Sequence, residues 1–316
     1  MDKLKILYIC TDEVDYMSNM LFNGLACLDF IEVTDSTKIW WMYDNIDIKD
    51  CENLYGKAFS LRKTLPDIPR DRENIEQKIK DHYYNFIIYG SIWRNRKYLD
   101  LVYNHYSGEE IIFIDGEDHN NIFTLDYRKK VLYFKRELVY SCDAYATTSD
   151  YSSIYPISFA IPECRFANCP DKPNLAAKQY LEQNNIVELN NLLKKDKYKF
   201  STEEEYYKTY AESFFGITKK KCGWDCLRHY EILASGCIPY FENFTAMPKT
   251  IMHNWPTDLQ IEANTLYYTF LWSHPDYVKT RAIKDYYNLY IRFIDYAKKH
   301  LTTKALAIYV LSKLHK

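Results

Sequence analysis

Residues 219–241 read KKKCGWDCLRHYEILASGCIPYF. Three lysines and a glycine lead into a helical pattern, which Gly236 ends, and the apolar run 237–241 follows at once as a predicted buried strand. At about 100° per residue, one apolar arc of this helix is formed by Trp224, Leu227, Tyr230 and Ala234. The stretch therefore predicts a half-buried helix that runs directly into a strand.

A narrow polar stripe beside that arc carries Arg228, Glu231 and Ser235. The predicted helix is preceded by Lys219, Lys220 and Lys221. The amides at a helix N-terminus, the helix dipole and the lysines all favour negative charge, so the pattern predicts an anionic ligand. The alternative is that Arg228 and Glu231 form an ion pair three residues apart on a helix surface.

The run 228–239, RHYEILASGCIP, resembles the donor-site motif of GT-B glycosyltransferases. The resemblance is closest to exostosin-like and surface-polysaccharide enzymes, in which an R-x-x-E-x-L-A-x-G-C-I-P pattern recurs. In that family the helix glutamate holds the ribose of a nucleotide-sugar and nearby basic residues hold the pyrophosphate. The resemblance implies that Glu231 is the ribose ligand and that Arg228 and one of the lysines 219–221 bind phosphate. Gly223 and Ser235 belong to the same predicted donor site.

The resemblance also implies an α/β fold with two Rossmann-like domains facing across a cleft, and with C-terminal helices that pack back on the N-terminal domain. We expect an acceptor-side domain at 1–160, a nucleotide-sugar-binding domain at 161–280 and closing helices at 281–316. Residues 163–200 are short for the opening elements of a full second nucleotide-binding domain, which departs from the GT-B plan.

The N-terminal half alternates apolar runs with helical patterns, which is typical of a parallel sheet with right-handed crossovers. Strands are predicted at 5–10, 39–43, 84–89, 111–114, 131–134 and 142–148. Helices are predicted at 17–28 and 99–106. A capping-box pattern at 201–205 predicts a further helix of structural role, and the C-terminal patterns predict helices at 281–300 and 305–314.

The strongest acid/base cluster follows the predicted strand 111–114 and consists of Asp115, Glu117, Asp118 and His119. Open α/β sheets bind ligands at the carboxyl ends of their strands, and a carboxylate or imidazole there can deprotonate an acceptor hydroxyl. A solvated Asp-Gly turn and a carboxylate-bound cation are the alternatives. Lys135 and Arg136 follow the next strand, where they are expected to hold a phosphate or an acidic sugar or to form a surface ion pair.

Composition limits the class of protein and the compartment. The 316 residues are enough for two domains, and the net charge of -2 argues against broad binding to nucleic acid. The nine cysteines form no close CxxC pair, so we expect reduced thiols, no metal site and a cytoplasmic protein. The apolar run 6–10 is too short for a signal peptide, and no transmembrane segment is expected. Peripheral contact with a membrane surface stays open.

The leading hypothesis is a metal-independent glycosyltransferase that moves a sugar from a nucleotide-sugar donor to a glycan or another hydroxyl acceptor. The donor is a substrate, and no cofactor is expected. One alternative is an epimerase or another activated-group transferase on the same nucleotide site. A second alternative is a non-catalytic carbohydrate-binding or scaffold protein. By resemblance, the acceptor is a polysaccharide or a lipid-linked glycan; the sequence leaves the donor base, the sugar and the stereochemistry open.

Overall fold

The structure is a computed structural model in which the described residues are 3–123, 131–139, 151–167, 200 and 202–314. The strand predicted at 142–148 lies outside these ranges. Within them, none of the helices combines the length and the apolar character that crossing a bilayer requires.

A six-stranded parallel sheet forms the N-terminal half. Its strands are β1 (Leu4–Ile9), β2 (Ile31–Asp35), β3 (Phe86–Tyr89), β4 (Ile111–Asp115), β5 (Val131–Lys135) and β6 (Tyr151–Pro156). The strand order is β2-β1-β3-β4-β5-β6, with all neighbours parallel. The prediction of an α/β protein with a parallel sheet is therefore confirmed, and the sheet is compatible with a Rossmann-like fold. All six carboxyl ends meet at one edge.

Helices flank this sheet and cover the smaller strand pair of the C-terminal half. The longer helices are α1 (Tyr16–Ala26), α2 (Ile75–Lys80), α3 (Leu99–His105), α4 (Glu203–Ala211), α5 (Leu227–Ala234), α6 (Thr257–Trp272), α7 (Ile283–His300) and α8 (Thr303–Leu311). A helical turn at Pro275–Tyr277 and a π-helical turn at Val278–Ala282 lead into α7. The core on one sheet face includes residues of α1 and α8, whereas that on the other face includes residues of α2 and α3.

The C-terminal half contains a second, smaller parallel pair, β7 (Phe215–Thr218) and β8 (Ile238–Phe241), with α5 as the crossover between them. The side chain of Asn264 on α6 accepts from the backbone N–H of Phe241 at 3.0 Å and donates to its carbonyl at 2.8 Å. Gln260 donates to the Pro239 carbonyl at 2.8 Å. These amides satisfy backbone groups of β8, so α6 covers a sheet edge that would otherwise be open.

The two C-terminal helices have different partners. Helix α8 packs on α1, where Gly24 lies directly against the backbone of Thr303. Helix α7 instead contributes Tyr286, Leu289 and Phe293 to the apolar cluster of the C-terminal half. Of these two helices, α8 packs on the N-terminal half and α7 packs in the C-terminal cluster, as far as the described residues show.

Two of the differences from the sequence prediction lie beside β1 and α1. The strand predicted at 39–43 is wrong: Trp40–Met42 is a 3₁₀ turn, and Tyr43 makes only an isolated bridge to Leu65. The run is apolar because it packs against α1, where the Trp41 indole N–H donates to Asn19 at 3.2 Å. The edge strand beside β1 is instead β2, in which Glu32 interrupts the apolar pattern.

Candidate functional site

A cleft of about 240 Å³ opens at the carboxyl edge of the large sheet. It lies between the segments that follow β4 and β5 and the loop that precedes α5. Its lining includes Asp118, His119, Glu137, Lys220, Cys222 and Trp224. The structure therefore brings part of the predicted acid/base cluster face to face with part of the predicted donor loop.

Asp115 is completely buried, and its carboxylate is hydrogen-bonded to other groups of the protein. Its carboxylate accepts from the Trp93 indole at 2.9 Å, the Tyr133 hydroxyl at 2.5 Å, the Lys135 ammonium at 2.9 Å and the Glu117 backbone N–H at 3.1 Å. A carboxylate with four internal donors and no exposed surface is unsuited to deprotonating an acceptor. The geometry therefore assigns Asp115 a structural role, contrary to its prediction as a catalytic residue.

The other three members of the cluster are closer to solvent. Glu117 accepts from the Arg94 guanidinium at 2.9 Å. The Asp118 side chain is 55% exposed and pairs with Arg136. The exposed His119 ring packs edge-on against Trp93, with the ring centroids 5.1 Å apart. Asp118 and His119 line the cleft, whereas Glu117 is directed to a neighbouring arginine.

Lys135 and Arg136 are buried, and the prediction that they hold a phosphate does not fit this geometry. Burial lowers the pKa of Lys135, although its Asp115 partner acts in the opposite direction. Arg136 donates to the Gly116 carbonyl at 2.8 Å and also to Asp118 and to the Asp225 carbonyl. Lys135 ties the end of β5 to Asp115 and Glu117 after β4, and Arg136 ties the same strand end to the loop before α5.

That loop is locked against the N-terminal half. A Cβ on Gly223 would lie 2.6 Å from a carboxylate oxygen of Glu137, so a larger residue here would have to displace that side chain. Glu137 also accepts from the Asp225 backbone N–H at 2.9 Å. The buried Asp225 carboxylate accepts from the Phe159 N–H at 2.8 Å and the Tyr230 hydroxyl at 3.0 Å. Burial raises the pKa of Asp225 to about 7, although the nearby Arg136 charge acts to lower it.

His229 holds the same loop from the α5 side. Burial lowers the pKa of His229 to about 3, so the ring is neutral. Its Nδ1 lies 2.9 Å from the Thr218 hydroxyl, and its Nε2 lies 2.9 Å from the Trp224 carbonyl. Because a carbonyl only accepts, Nε2 carries the proton and Nδ1 accepts from the hydroxyl. His229 therefore fixes the position of Trp224 without carrying charge.

Glu231, the predicted ribose ligand, is buried and already hydrogen-bonded. Its two oxygens accept from the Ser60 hydroxyl and the Tyr206 hydroxyl, each at 2.5 Å. Burial raises the pKa of Glu231, while these hydrogen bonds act to lower it. Ser235, on the same stripe, donates to the Glu231 carbonyl at 2.6 Å rather than facing the cleft. The stripe is not a solvated face, and it contains no Arg228–Glu231 ion pair of the surface type.

Two cations of the predicted donor site lie close together. The Arg228 guanidinium and the Lys221 ammonium make no hydrogen bond or ion pair with the side chains of the described residues. Lys221 lies at the exposed surface, and partial desolvation of its ammonium, followed by repulsion from Arg228, lowers its pKa. Glu231 attracts both charges without contacting either. Lys219 is exposed, and Lys220 lies over the Trp224 ring, 5.2 Å from its centroid.

Ser60 is a site residue that sequence reasoning missed. Its backbone is left-handed, with φ of 72°, which is uncommon for a residue other than glycine. The strain is maintained by Glu203, which accepts from the Ser60 N–H at 2.5 Å, and by Arg165, which donates to the Ser60 carbonyl at 3.1 Å. No sequence pattern marks a serine that lies 171 positions from its glutamate partner.

The chain matches no protein-family model, and no curated protein matches it.

Proposed function

We propose that this chain is a glycosyltransferase that moves a sugar from a nucleotide-sugar donor to a glycan or another hydroxyl acceptor. The observation that carries the proposal is the pair formed by Lys221 and Arg228 at the start of α5. Two neighbouring cations that repel each other and have no side-chain hydrogen bond or ion pair among the described residues are stabilised by an anion bound between them. A diphosphate supplies that anion.

In this proposal the cleft is the reaction site, and the two halves of the chain act as the two domains of a GT-B enzyme. Lys220 and Trp224 line the cleft and belong to the same loop as Lys221. Positive charge at fixed positions stabilises the negative charge that develops on a departing nucleoside diphosphate. Lys221 and Arg228 provide that charge from the loop and from α5.

Asp118 and His119 are proposed as the candidate bases on the acceptor side. Both line the cleft opposite Lys220 and Trp224. An acceptor hydroxyl becomes a stronger nucleophile when a positioned carboxylate or imidazole removes its proton as it attacks. Arg136 holds Asp118 in place and thereby links the acceptor side to the loop before α5.

Glu231 is proposed to position the donor site rather than to bind the ribose in the structure as it stands. Its carboxylate ties α5 to Ser60 and to Tyr206 on α4, and its charge attracts Arg228. A ribose contact would require a sugar hydroxyl to replace the Ser60 hydroxyl. The proposed acceptor is a polysaccharide or a lipid-linked glycan, and the proposed compartment is the cytoplasm.

A thermal-shift series with nucleoside diphosphates and their sugars tests this function. A cognate donor at a concentration of 100 Kd should stabilise the wild type by about 2.7 kcal/mol and thereby raise its melting temperature. Arg228→Gln should remove most of that shift, whereas Lys80→Gln, which removes an exposed positive charge on α2, should retain it. If no nucleotide moves the wild type, the proposal fails.

A non-catalytic carbohydrate-binding or scaffold role is a second candidate, and one observation favours it. The carboxylates of Asp115 and Glu231 are both saturated by internal donors, as expected when former site residues serve the fold. Under this alternative, nucleotides leave the melting temperature of the wild type unchanged. Glu231→Gln then lowers the midpoint of unfolding and affects no nucleotide binding.

A further inference from the structure

The Trp224 side chain lines the cleft from a loop that is fixed on both sides of it. On one side, the Gly223 backbone packs directly against the Glu137 carboxylate, where a Cβ would lie 2.6 Å from an oxygen. On the other side, the Asp225 N–H donates to the same carboxylate at 2.9 Å. The Trp224 carbonyl accepts from His229 at 2.9 Å. A half-buried ring held in this way loses little conformational entropy when a ligand stacks on it.

Groups that bind hydroxyls line the same cleft. They are Asp118, His119 and Asn120, which follow β4, and apolar contacts come from Val139 and Ile251. This combination suits a sugar, because the C–H groups on one face of a pyranose pack on an aromatic ring and its hydroxyls need hydrogen-bond partners. The cleft volume of about 240 Å³ is below the range of about 300–1,000 Å³ that is usual for sites of drug-sized ligands. The cleft therefore fits one sugar ring better than a whole nucleotide-sugar.

The cleft also offers a cation to an anionic ligand. The carboxylates in its described lining are already paired, because Asp118 and Glu137 both accept from the Arg136 guanidinium. The Lys220 ammonium, in contrast, lies 5.2 Å from the centroid of the Trp224 ring and forms no ion pair with a carboxylate of the described residues. A cation–π contact at an exposed site is weak, so the flexible lysine readily exchanges it for an anion. Lys220 therefore favours a negatively charged substituent at the edge of the Trp224 ring.

We infer that the cleft binds one acidic sugar ring of the acceptor glycan. The sugar stacks on Trp224, its carboxylate or phosphate group contacts Lys220, and its hydroxyls contact Asp118 and His119. Those last two side chains are the candidate bases, so a hydroxyl in contact with them is placed to react. This inference rests on the proposed function, because it names the substrate class of the same site. It assigns Lys220 to the acceptor and makes Trp224 and Lys220 specificity-determining residues.

A saturation-transfer NMR titration of the whole chain with methyl glucoside, methyl glucuronide and glucose 6-phosphate tests the inference. In the wild type, at least one acidic sugar should bind about 1.5- to 5-fold more tightly than the glucoside, which is the contribution of an exposed ion pair. Trp224→Ala should weaken all three sugars about tenfold, because a ring that covers about 60 Å² of apolar sugar surface contributes about that much. Trp224→Phe should retain most of the affinity. Lys220→Gln should abolish the preference for acidic sugars without changing glucoside binding, and the control Lys80→Gln should change neither.

Three results would overturn the inference. Equal affinity of the wild type for all three sugars would show that the cleft does not select a charge. A preference for acidic sugars that survives in Lys220→Gln would place the anion at another cation. Sugar affinity that is unchanged in Trp224→Ala would exclude stacking on the ring. The proposed function is tested separately by the nucleotide thermal shifts: acidic sugars that bind as described to a protein that no nucleotide stabilises would support the inference and overturn the glycosyltransferase.

Discussion

Replacing Gly24 by alanine tests the contact that joins α1 to the C-terminal helix α8. A Cβ at this position would lie 1.9 Å from the Thr303 carbonyl oxygen, 2.5 Å from its carbon and 3.0 Å from the Ala307 Cβ. The nearest obstacles are backbone atoms, so no side-chain rotation relieves the clash. Restoring an ordinary separation of about 3.4 Å requires the helices to move apart by about 1.5 Å.

The free energy of unfolding is expected to fall by about 1–3 kcal/mol. Overpacking a buried helix contact costs about 1–3 kcal/mol. The displacement also breaks the buried hydrogen bond from the Thr303 hydroxyl to Asn23, which is 2.7 Å long and is worth about 1 kcal/mol. Alanine recovers about 0.5–1 kcal/mol because it is a better helix former than glycine.

Urea unfolding of Gly24→Ala and of the wild type measures this difference as a shift in midpoint at constant slope. Ile308→Ala is the matched control, because that side chain on the outer face of α8 is 53% exposed and its removal should cost under about 0.5 kcal/mol. A variant as stable as the wild type would show that α8 does not contact α1 at Gly24.

Three further predictions concern the site. Burial raises the pKa of Asp225 from 3.8 to about 7, so between these values the native state holds a proton that the unfolded chain releases. The free energy of unfolding should therefore fall as pH rises from about 4 to 7. In Asp225→Asn, the melting temperature measured across this pH range should depend less on pH. Gly223→Ala should push the loop off Glu137 by a large fraction of an ångström and weaken nucleoside diphosphate binding about tenfold in a titration, whereas unchanged affinity would mean that the loop position is unimportant. If His119 is the base, His119→Gln should lower kcat about 10²–10⁴-fold with little change in donor affinity, and an unaltered kcat would leave Asp118 as the candidate.

The parts of the fold that could be predicted from the sequence are those with a local signal. Continuous apolar runs in the sequence indicated β1, β3, β4 and β5. These strands are buried on both faces of the parallel sheet. Gly236 ends α5 with φ of 81°, as its position after the helical pattern indicated. The capping box at Thr202 is also present, with the Glu205 N–H donating to its hydroxyl at 3.1 Å.

Elements without such a signal were missed for physical reasons. Helix α6 is apolar on two sides: Ala263 and Phe270 face the core, while Tyr268 and Trp272 are exposed, at 49% and 82%. A helix with apolar residues on opposite faces has no amphipathic period to recognise. The 3₁₀ turn at Trp40–Met42 is apolar like a strand, and only its packing against α1 distinguishes it.

The candidate site could be predicted only in outline. The lysine loop, Arg228 and the segment 115–119 were recognised from local patterns, and the structure brings Lys220, Asp118 and His119 to one cleft. Which carboxylates are free could not be predicted, because the donors that saturate Asp115 and Glu231 come from distant positions. The buried role of Lys135 follows from a neighbouring strand, which local sequence does not reveal.

The most direct measurement is an NMR titration of the Lys221 ammonium, through its ε-carbon, with and without pyrophosphate. The free protein should show a Lys221 pKa below the ordinary lysine value, since partial desolvation of the ammonium and the Arg228 charge both lower it. Bound pyrophosphate should raise the pKa of Lys221. Arg228→Gln should raise the same pKa in the free protein and lower the affinity for pyrophosphate. A Lys221 pKa that does not respond to pyrophosphate would contradict the claim that these two cations form an anion site.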